Sequence, residues 1–343
     1  MTIHHICVPK GEMQEIWVRE IHASESTCLY PMSFAFDLQQ LKGSIKEVGI
    51  VNPPILRSEN DHFRIITGLR RIMASRDLGF EKIWCRILRA EDLAPKDALM
   101  IALHENLASR QFNIVEKALI LKHLSQHYSA EKICNNFMKI LGLAKRIELY
   151  HLYRDIEQKL SVCVKESLAR GALQLKTATL LLTINQKDAD ILVYLGNKLK
   201  LNINQFHEFI DITIDLSHMH EEPVQKILLR PEIVEIIDND KMNIPQKSHK
   251  LLEVLREIRY PTVAQAQRRM RQRIESLHLP DAVRLTLPSF LESSEYKLEV
   301  LFQDGKQLQR LLKDILKKPG LESIRSPLAE VMKPEPIREP NEI

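Results

Sequence analysis

The sequence predicts an α+β fold, and three observations carry that prediction. Ten glycines in 343 residues are few for a turn-rich all-β chain. Phe63–Thr67 is a β-branched and aromatic run that stops at Gly68 and opens into helix-forming residues. From Ile114 to about residue 278 the apolar spacing is almost purely helical. The expected organisation is a small mixed unit at 1–113, a helical middle at 114–280, a ββα piece at 281–325 and a disordered, proline-rich tail at 326–343.

The bulk properties narrow the class. The length suits two or three domains. A net charge of +4 is too weak to prove a nucleic-acid partner, so the distribution of charge matters more. The cysteines, Cys7, Cys28, Cys85, Cys134 and Cys163, are scattered, odd in number and without metal-site spacing, which points to a reduced, cytoplasmic setting. The start lacks a charged-then-apolar signal pattern, and the sequence lacks a run of about 18 apolar residues, so neither secretion nor membrane spanning is expected.

In chain order, Glu15–Ile21 reads as a strand and Phe36–Val48 as a helix with Leu38, Leu41, Ile45 and Val48 on one face. Pro53 and Pro54 break regular structure before a short strand at Ile55–Arg57, and Asn60-Asp61 makes a hairpin-type turn. Leu69–Leu78 is a helix stopped by Gly79. Lys82–Leu88 is a strand and Pro95–Leu107 a helix. Ile114–Tyr128 is the first helix of the middle region. Ser129 caps a second at Ala130–Leu141, Gly142 ends it, and Ala144–Ile156 follows. Helix, glycine turn and basic helix is the layout of a helix-turn-helix, with Lys145, Arg146 and Arg154 on the second helix; an αα-hairpin shares the pattern. More helices are expected at 161–170, 174–184, 187–199, 203–217 and 247–258.

Thr262–Gln265 has capping-box spacing, and Val263, Ala266, Met270, Ile274 and Leu277 then form a stripe. Arg268, Arg269, Arg271 and Arg273 cover the rest of that helix. They are read as a solvated face or as phosphate-backbone contacts. Val283–Leu287 and Tyr296–Phe302 read as strands. A helix with Leu308, Leu311, Leu312, Ile315 and Leu316 on one face ends at Lys317–Gly320. A piece this small buries little core alone, so a second copy of it is the expected partner.

Three stretches carry the chemistry. The first is Ser44-Ile45 with Val48–Leu56. The second is Phe63–Ser75, whose Gly68 turn leads to Arg70 and Arg71 at a helix start, a natural anion site. The third is His104–Ala118, with Glu105, Asn106 and Arg110. Their order resembles the N-terminal domain of the ParB partition proteins. The resemblance implies a CTP-binding, slowly hydrolysing domain, then a DNA-binding helical domain, then a dimerisation domain. It would place Gly68, Arg70, Arg71 and nearby Thr67 around phosphates and Gly49 to Pro53, with Asn52, beside the nucleotide. Arg110 is a further contact. Glu105 and Asn106 would hold Mg2+ and the triphosphate, with Glu105 the candidate catalytic carboxylate. DNA, a nucleoside triphosphate, a second copy of the chain and a partition ATPase are the implied partners, in chromosome or plasmid partition or in transcription regulation.

Three positions depart from the family pattern: Leu69 for the usual Glu, Asn52 for Gln, and Ser109 for Arg, with Arg110 one place later. These put hydrolysis in more doubt than binding. The competing reading is a small-molecule phosphotransferase or nucleotidase of the same ParB/sulfiredoxin fold. A thiol reductase is not expected, because Leu69 stands where sulfiredoxins carry cysteine. His123 and His127, at i,i+4, are read as surface histidines rather than metal ligands.

Overall fold

A computed structural model describes residues 9–21, 27–59, 62–287, 295–326 and 329. The Asn60-Asp61 turn, the 288–294 connection and nearly all of the expected tail lie outside the described residues.

The N-terminal part is built on a four-stranded sheet of β1 (Glu12–Trp17), β2 (Ile55–Glu59), β3 (His62–Thr67) and β4 (Lys82–Arg89), in the order β1-β4-β2-β3. β2 and β4 run parallel, while the two outer pairs are antiparallel. β4 alternates as a half-buried strand must: Ile83, Cys85 and Ile87 point into the core, and Lys82 and Trp84 point out. Ile16, Leu56, Ile65 and Ile72 complete that core. Trp84 lies opposite Glu15 with 55% of its surface exposed. Trp17 lies opposite Lys82, and its ring is flanked by the Arg19 guanidinium and the Lys82 ammonium, each 4.5 Å from the centroid.

Helices α1 (Gln39–Val48), α2 (Leu69–Asp77) and α3 (Pro95–Ser109) complete this part. The Gly68 turn into α2 has a specific cause. Gly68 has φ +97° and serves as the N-cap of α2. A Cβ there would lie 2.8 Å from the Pro54 Cβ, so only glycine lets β3 pass Pro54 this closely.

Helices then follow in sequence: α4 (Ile114–Ser125), α5 (Ala130–Asn136), α6 (Ile147–Lys159), α7 (Val162–Ala169), α8 (Leu175–Leu181), α9 (Gln186–Lys198) and α10 (Ile203–His220). After them come α11 (Val224–Leu228), α12 (Pro231–Ile237), α13 (Ile244–Arg259) and α14 (Pro261–Ser276). β5 (Val283–Thr286) pairs antiparallel with β6 (Lys297–Val300), and α15 (Gly305–Leu316) follows. The chain divides into two compact units, one up to Asp211 and one from Ile212, so the division falls within α10.

Several boundaries differ from the sequence expectation. α5 ends at Asn136, and tighter turns carry the chain on to Gly142, where Leu143 N–H donates to the Met138 carbonyl at 2.8 Å. Arg146 is extended and forms the N-cap of α6, so Lys145 and Arg146 precede that helix instead of lying on it; Arg154 does lie on it. Thr262 does not cap α14. Pro261 takes the first helical position, which its fixed φ favours, and Tyr260 becomes the N-cap. α11 and α12 are short helices that apolar periodicity did not reveal. No helix among the described residues is long and apolar enough to cross a membrane.

Candidate functional site

The first unit holds a cleft of about 550 Å³. Its walls come from α1, the Gly49–Asn52 loop, the Thr67–Arg71 turn, the end of α3 and the segment from Cys28 to Ser33. Gly49, Asn52, Thr67, Gly68, Arg70, Arg71, Glu105, Asn106 and Arg110, singled out in sequence, all line it. α2 starts at this cleft, and its N-cap Gly68 offers no side-chain acceptor to the first N–H groups.

The three arginines are held differently. Arg71 donates to the Asn52 carbonyl, to Thr67 Oγ1 at 3.2 Å, and to Glu105 Oε1. It thereby ties the 49–52 loop, β3 and α3 together. Arg70 donates through Nε to Ser33 Oγ at 3.1 Å and through Nη2 to Glu116 Oε1 at 2.6 Å, and it stacks over the Phe36 ring at 4.6 Å. Burial, then the nearby Arg110 charge, bring its pKa down to about 10 against the opposing pull of Glu116; at neutral pH it is still a cation. Arg110 donates to Asn106 Oδ1 at 3.1 Å, Glu116 Oε2 at 2.7 Å and the Met32 carbonyl at 2.6 Å.

Glu116 is the residue that sequence reasoning left without a role. It is 1% exposed. Besides the two arginines it accepts the Phe34 N–H at 3.2 Å and the Asn113 N–H at 3.1 Å, while Asn113 Oδ1 accepts the Glu116 N–H at 2.9 Å. This is a capping box at the start of α4. Its signal was present in the Asn113-x-x-Glu116 spacing. Three guanidinium groups therefore meet Glu105 and Glu116, and the Asp37 carboxylate lines the same cleft, so the positive and negative groups balance.

Of the two histidines, His127 is exposed as expected and His123 is not. His123 is buried at 8% exposure and its Nε2 lies 3.0 Å from the Pro31 carbonyl, so the ring carries its proton there. His127 Nε2 lies 3.0 Å from the Tyr30 hydroxyl, which donates to the Pro95 carbonyl at 2.8 Å. Both rings brace the segment that forms one cleft wall. Cys85 is fully buried, and burial pushes its thiol up to about 12, which leaves it inert as a nucleophile.

For a divalent cation the cleft offers the Glu105 carboxylate and Asn106 Oδ1, both oxygen donors of the hard kind. Among the described residues no group of three His, Cys, Asp or Glu side chains could hold a metal. The donors present thus fit magnesium that arrives with phosphate oxygens and water completing its shell, and not a closed protein cage.

The basic residues elsewhere divide into two sets. Lys145, Arg146 and Arg154 are exposed and have no ion pair among the described residues. On α14, Arg268 pairs with Glu257 and Arg271 lies 3.9 Å from Glu253, both on α13; Arg269 and Arg273 also make polar or electrostatic contacts. The α14 arginines are therefore engaged within the chain and do not form an unpaired basic face.

Comparison with known proteins agrees with this geometry. Residues 5–107 match the ParB N-terminal domain family. That match covers the part of the chain that holds the sheet and most of the cleft lining. A probable chromosome-partitioning protein ParB of Campylobacter jejuni is 30% identical over 166 residues, covering 48% of this chain and 57% of that protein. A nucleoid occlusion protein of Bacillus thuringiensis is 26% identical over 230 residues, covering 64% of this chain and 73% of that one. The chain thus spans little more than half of the Campylobacter ParB. Among solved structures, a C-terminally truncated ParB of Caulobacter crescentus complexed with CTP-gamma-S matches at 21% identity over 54% of this chain and 98% of that one, with a TM-score of 0.25. A score that low decides nothing about arrangement. The likeness to the ParB N-terminal domain rests on the family match, and residues of the three sequence boxes line the cleft.

Proposed function

We propose that this is a DNA-binding protein of the partition type whose ParB N-terminal domain binds CTP with Mg2+ as a switch. It would act in chromosome or plasmid partition or in transcription regulation. The observation that carries this reading is the convergence of three separated boxes on one cleft that presents three arginines. Their guanidinium donors and the first-turn N–H groups at α2 suit phosphate. Arg70, Arg71 and Arg110 would take phosphate oxygens. Glu105 and Asn106 would hold Mg2+, which would neutralise triphosphate charge when bound. Loop 49–52 and α1 would enclose the rest of the nucleotide. Weak CTP hydrolysis with Glu105 as the acting carboxylate belongs to the same reading.

For DNA, α5 and α6 would form the reading pair, with Lys145, Arg146 and Arg154 on the exposed side. Arg268 and Arg271 on α14 are the poorer candidates because α13 carboxylates engage them. The proposed organisation keeps a nucleotide domain at 1–113, a DNA-binding region at 114–280 and a self-associating segment at 281–325, with a partition ATPase as a further partner. Isothermal titration of the full chain against CTP, ATP and GTP with magnesium, with and without DNA, tests it. Preferred binding of CTP supports the reading; no heat from any nucleotide overturns it.

A further inference from the structure

α6 buries Tyr150, Tyr153 and Ile156 and leaves Ile147, Glu148, His151 and Arg154 exposed. These four lie at i, i+1, i+4 and i+7, so they share one side of the helix. Lys145 and Arg146 lead into it as exposed cations. Of the carboxylates on α6, Asp155 pairs with Lys159 and Glu157 with Lys122. Glu148 makes no hydrogen bond or ion pair among the described residues. Burial, then the Glu148 charge, raises the pKa of the Cys134 thiol on α5, which sets this carboxylate within electrostatic reach of α5. An unneutralised acid therefore sits in the middle of an otherwise basic surface.

Such an acid opposes DNA in general, because phosphates repel it whatever the sequence. A reading helix in the major groove brings its first residues to base edges, and Glu148 is the second residue of α6. A carboxylate only accepts hydrogen bonds, so at a base edge it needs a donor. Cytosine offers its N4 amine without an acceptor beside it on the same base. Adenine sets the N7 acceptor next to its N6 amine, and guanine and thymine present acceptors only. We propose that Glu148 is a specificity-determining residue: it selects a cytosine in the major groove and turns the α5–α6 pair away from duplexes that lack one there. The inference rests on the DNA-binding reading above. A carboxylate in the first turn also favours the helix through its dipole, but that effect is the same for every duplex.

The test is selection from a randomised duplex pool by the full chain, as wild type, Glu148→Ala and Glu148→Gln, with and without CTP and magnesium. Titration of one random duplex follows. Wild type should enrich sites with cytosine at one position. Glu148→Ala should lose that preference, by roughly 5- to 150-fold in discrimination, and keep the others. Glu148→Gln should move the same position to adenine, whose N6 and N7 suit an amide. Both variants should bind the random duplex more tightly than wild type, the opposite of what losing a structural residue does. Identical enriched sites from all three proteins, or a loss of affinity shared by every duplex, overturns the inference and leaves the DNA reading intact. Absence of salt-dependent DNA binding by wild type, with and without CTP, removes the DNA reading and this inference with it.

Discussion

At the scale of single residues, Glu116 is the counter-ion on which the cleft depends. Its side chain is 2% exposed, against 26% for Arg70 and 15% for Arg110. Glu116→Ala strands both cations and opens the α4 capping box. Breaking a buried pair on one side typically costs about 3–5 kcal/mol. Urea unfolding should show a loss of that order, and a loss below about 1 kcal/mol would mean that solvent already screens the arginines. His123 sets a pH dependence of opposite kind. Burial, first, lowers its pKa, with Lys122 and His127 adding to the effect while the Pro31 carbonyl and Glu157 oppose it. The unfolded chain then binds the proton more readily, so stability is full above about pH 6.5 and falls as pH drops through the lower folded value. His123→Gln should flatten that fall, read as urea midpoints across the range from neutral to mildly acidic pH. Identical slopes in both proteins would exclude His123 as the cause. These two residues also mark where sequence legibility ends. Gly68, Arg70 and Arg71 were legible because turn chemistry is local. Ser33 was not, and neither was the pairing of Glu116 with Arg70, because the Arg70 that they hold lies 37 and 46 residues from them along the chain.

At the scale of elements, the β3–α2 turn and the α5–α6 connection make contrasting predictions. Gly68→Ala meets Pro54 and a left-handed φ together. The left-handed strain alone is worth about 1–2 kcal/mol, so a melting midpoint unchanged from wild type would contradict the close approach. For DNA, neutralising Lys145 and Arg146 should weaken binding and flatten the log–log salt slope by about 0.9 for each phosphate that no longer has a cationic partner. If Arg154 on α6 reads a base edge, Arg154→Ala should relax sequence preference by about 1–3 kcal/mol. Arg268→Ala and Arg271→Ala should change neither, since Glu257 and Glu253 already engage those side chains. Binding series on specific and random duplexes at several salt concentrations separate these outcomes. The long helices and the strands β2 to β4 of the first unit were legible to within a few residues, whereas the strand expected at Glu15–Ile21 runs from Glu12 to Trp17 and gives way to a 3-10 turn at Val18–Glu20. The α5 end and the α6 start were not, because the turn bonds that follow Asn136, Leu143 N–H to the Met138 carbonyl among them, have no periodic signature.

At the scale of the whole molecule, several large apolar side chains of the C-terminal part are exposed among the described residues. Leu298, Leu301, Phe302, Leu312 and Leu316 are 47%, 74%, 51%, 43% and 78% exposed. Side chains of this kind gathered on a short ββα run favour association with a like surface. Light scattering of a chain ending at Pro280 should therefore give a smaller mass than the full chain, and equal masses would refute self-association through this segment. The division within α10 was not legible, because helical periodicity runs through it without a break.

The two tryptophans of the sequence, Trp17 and Trp84, both sit on the paired strands β1 and β4. Intrinsic fluorescence excited at the indole band is consequently a private reporter of the N-terminal sheet. Every helix from α4 onward is dark to it, while far-ultraviolet circular dichroism is dominated by those helices. Two unfolding curves recorded on one sample thus follow different parts of the chain, and their coincidence or separation measures how cooperatively the sheet and the helices come apart.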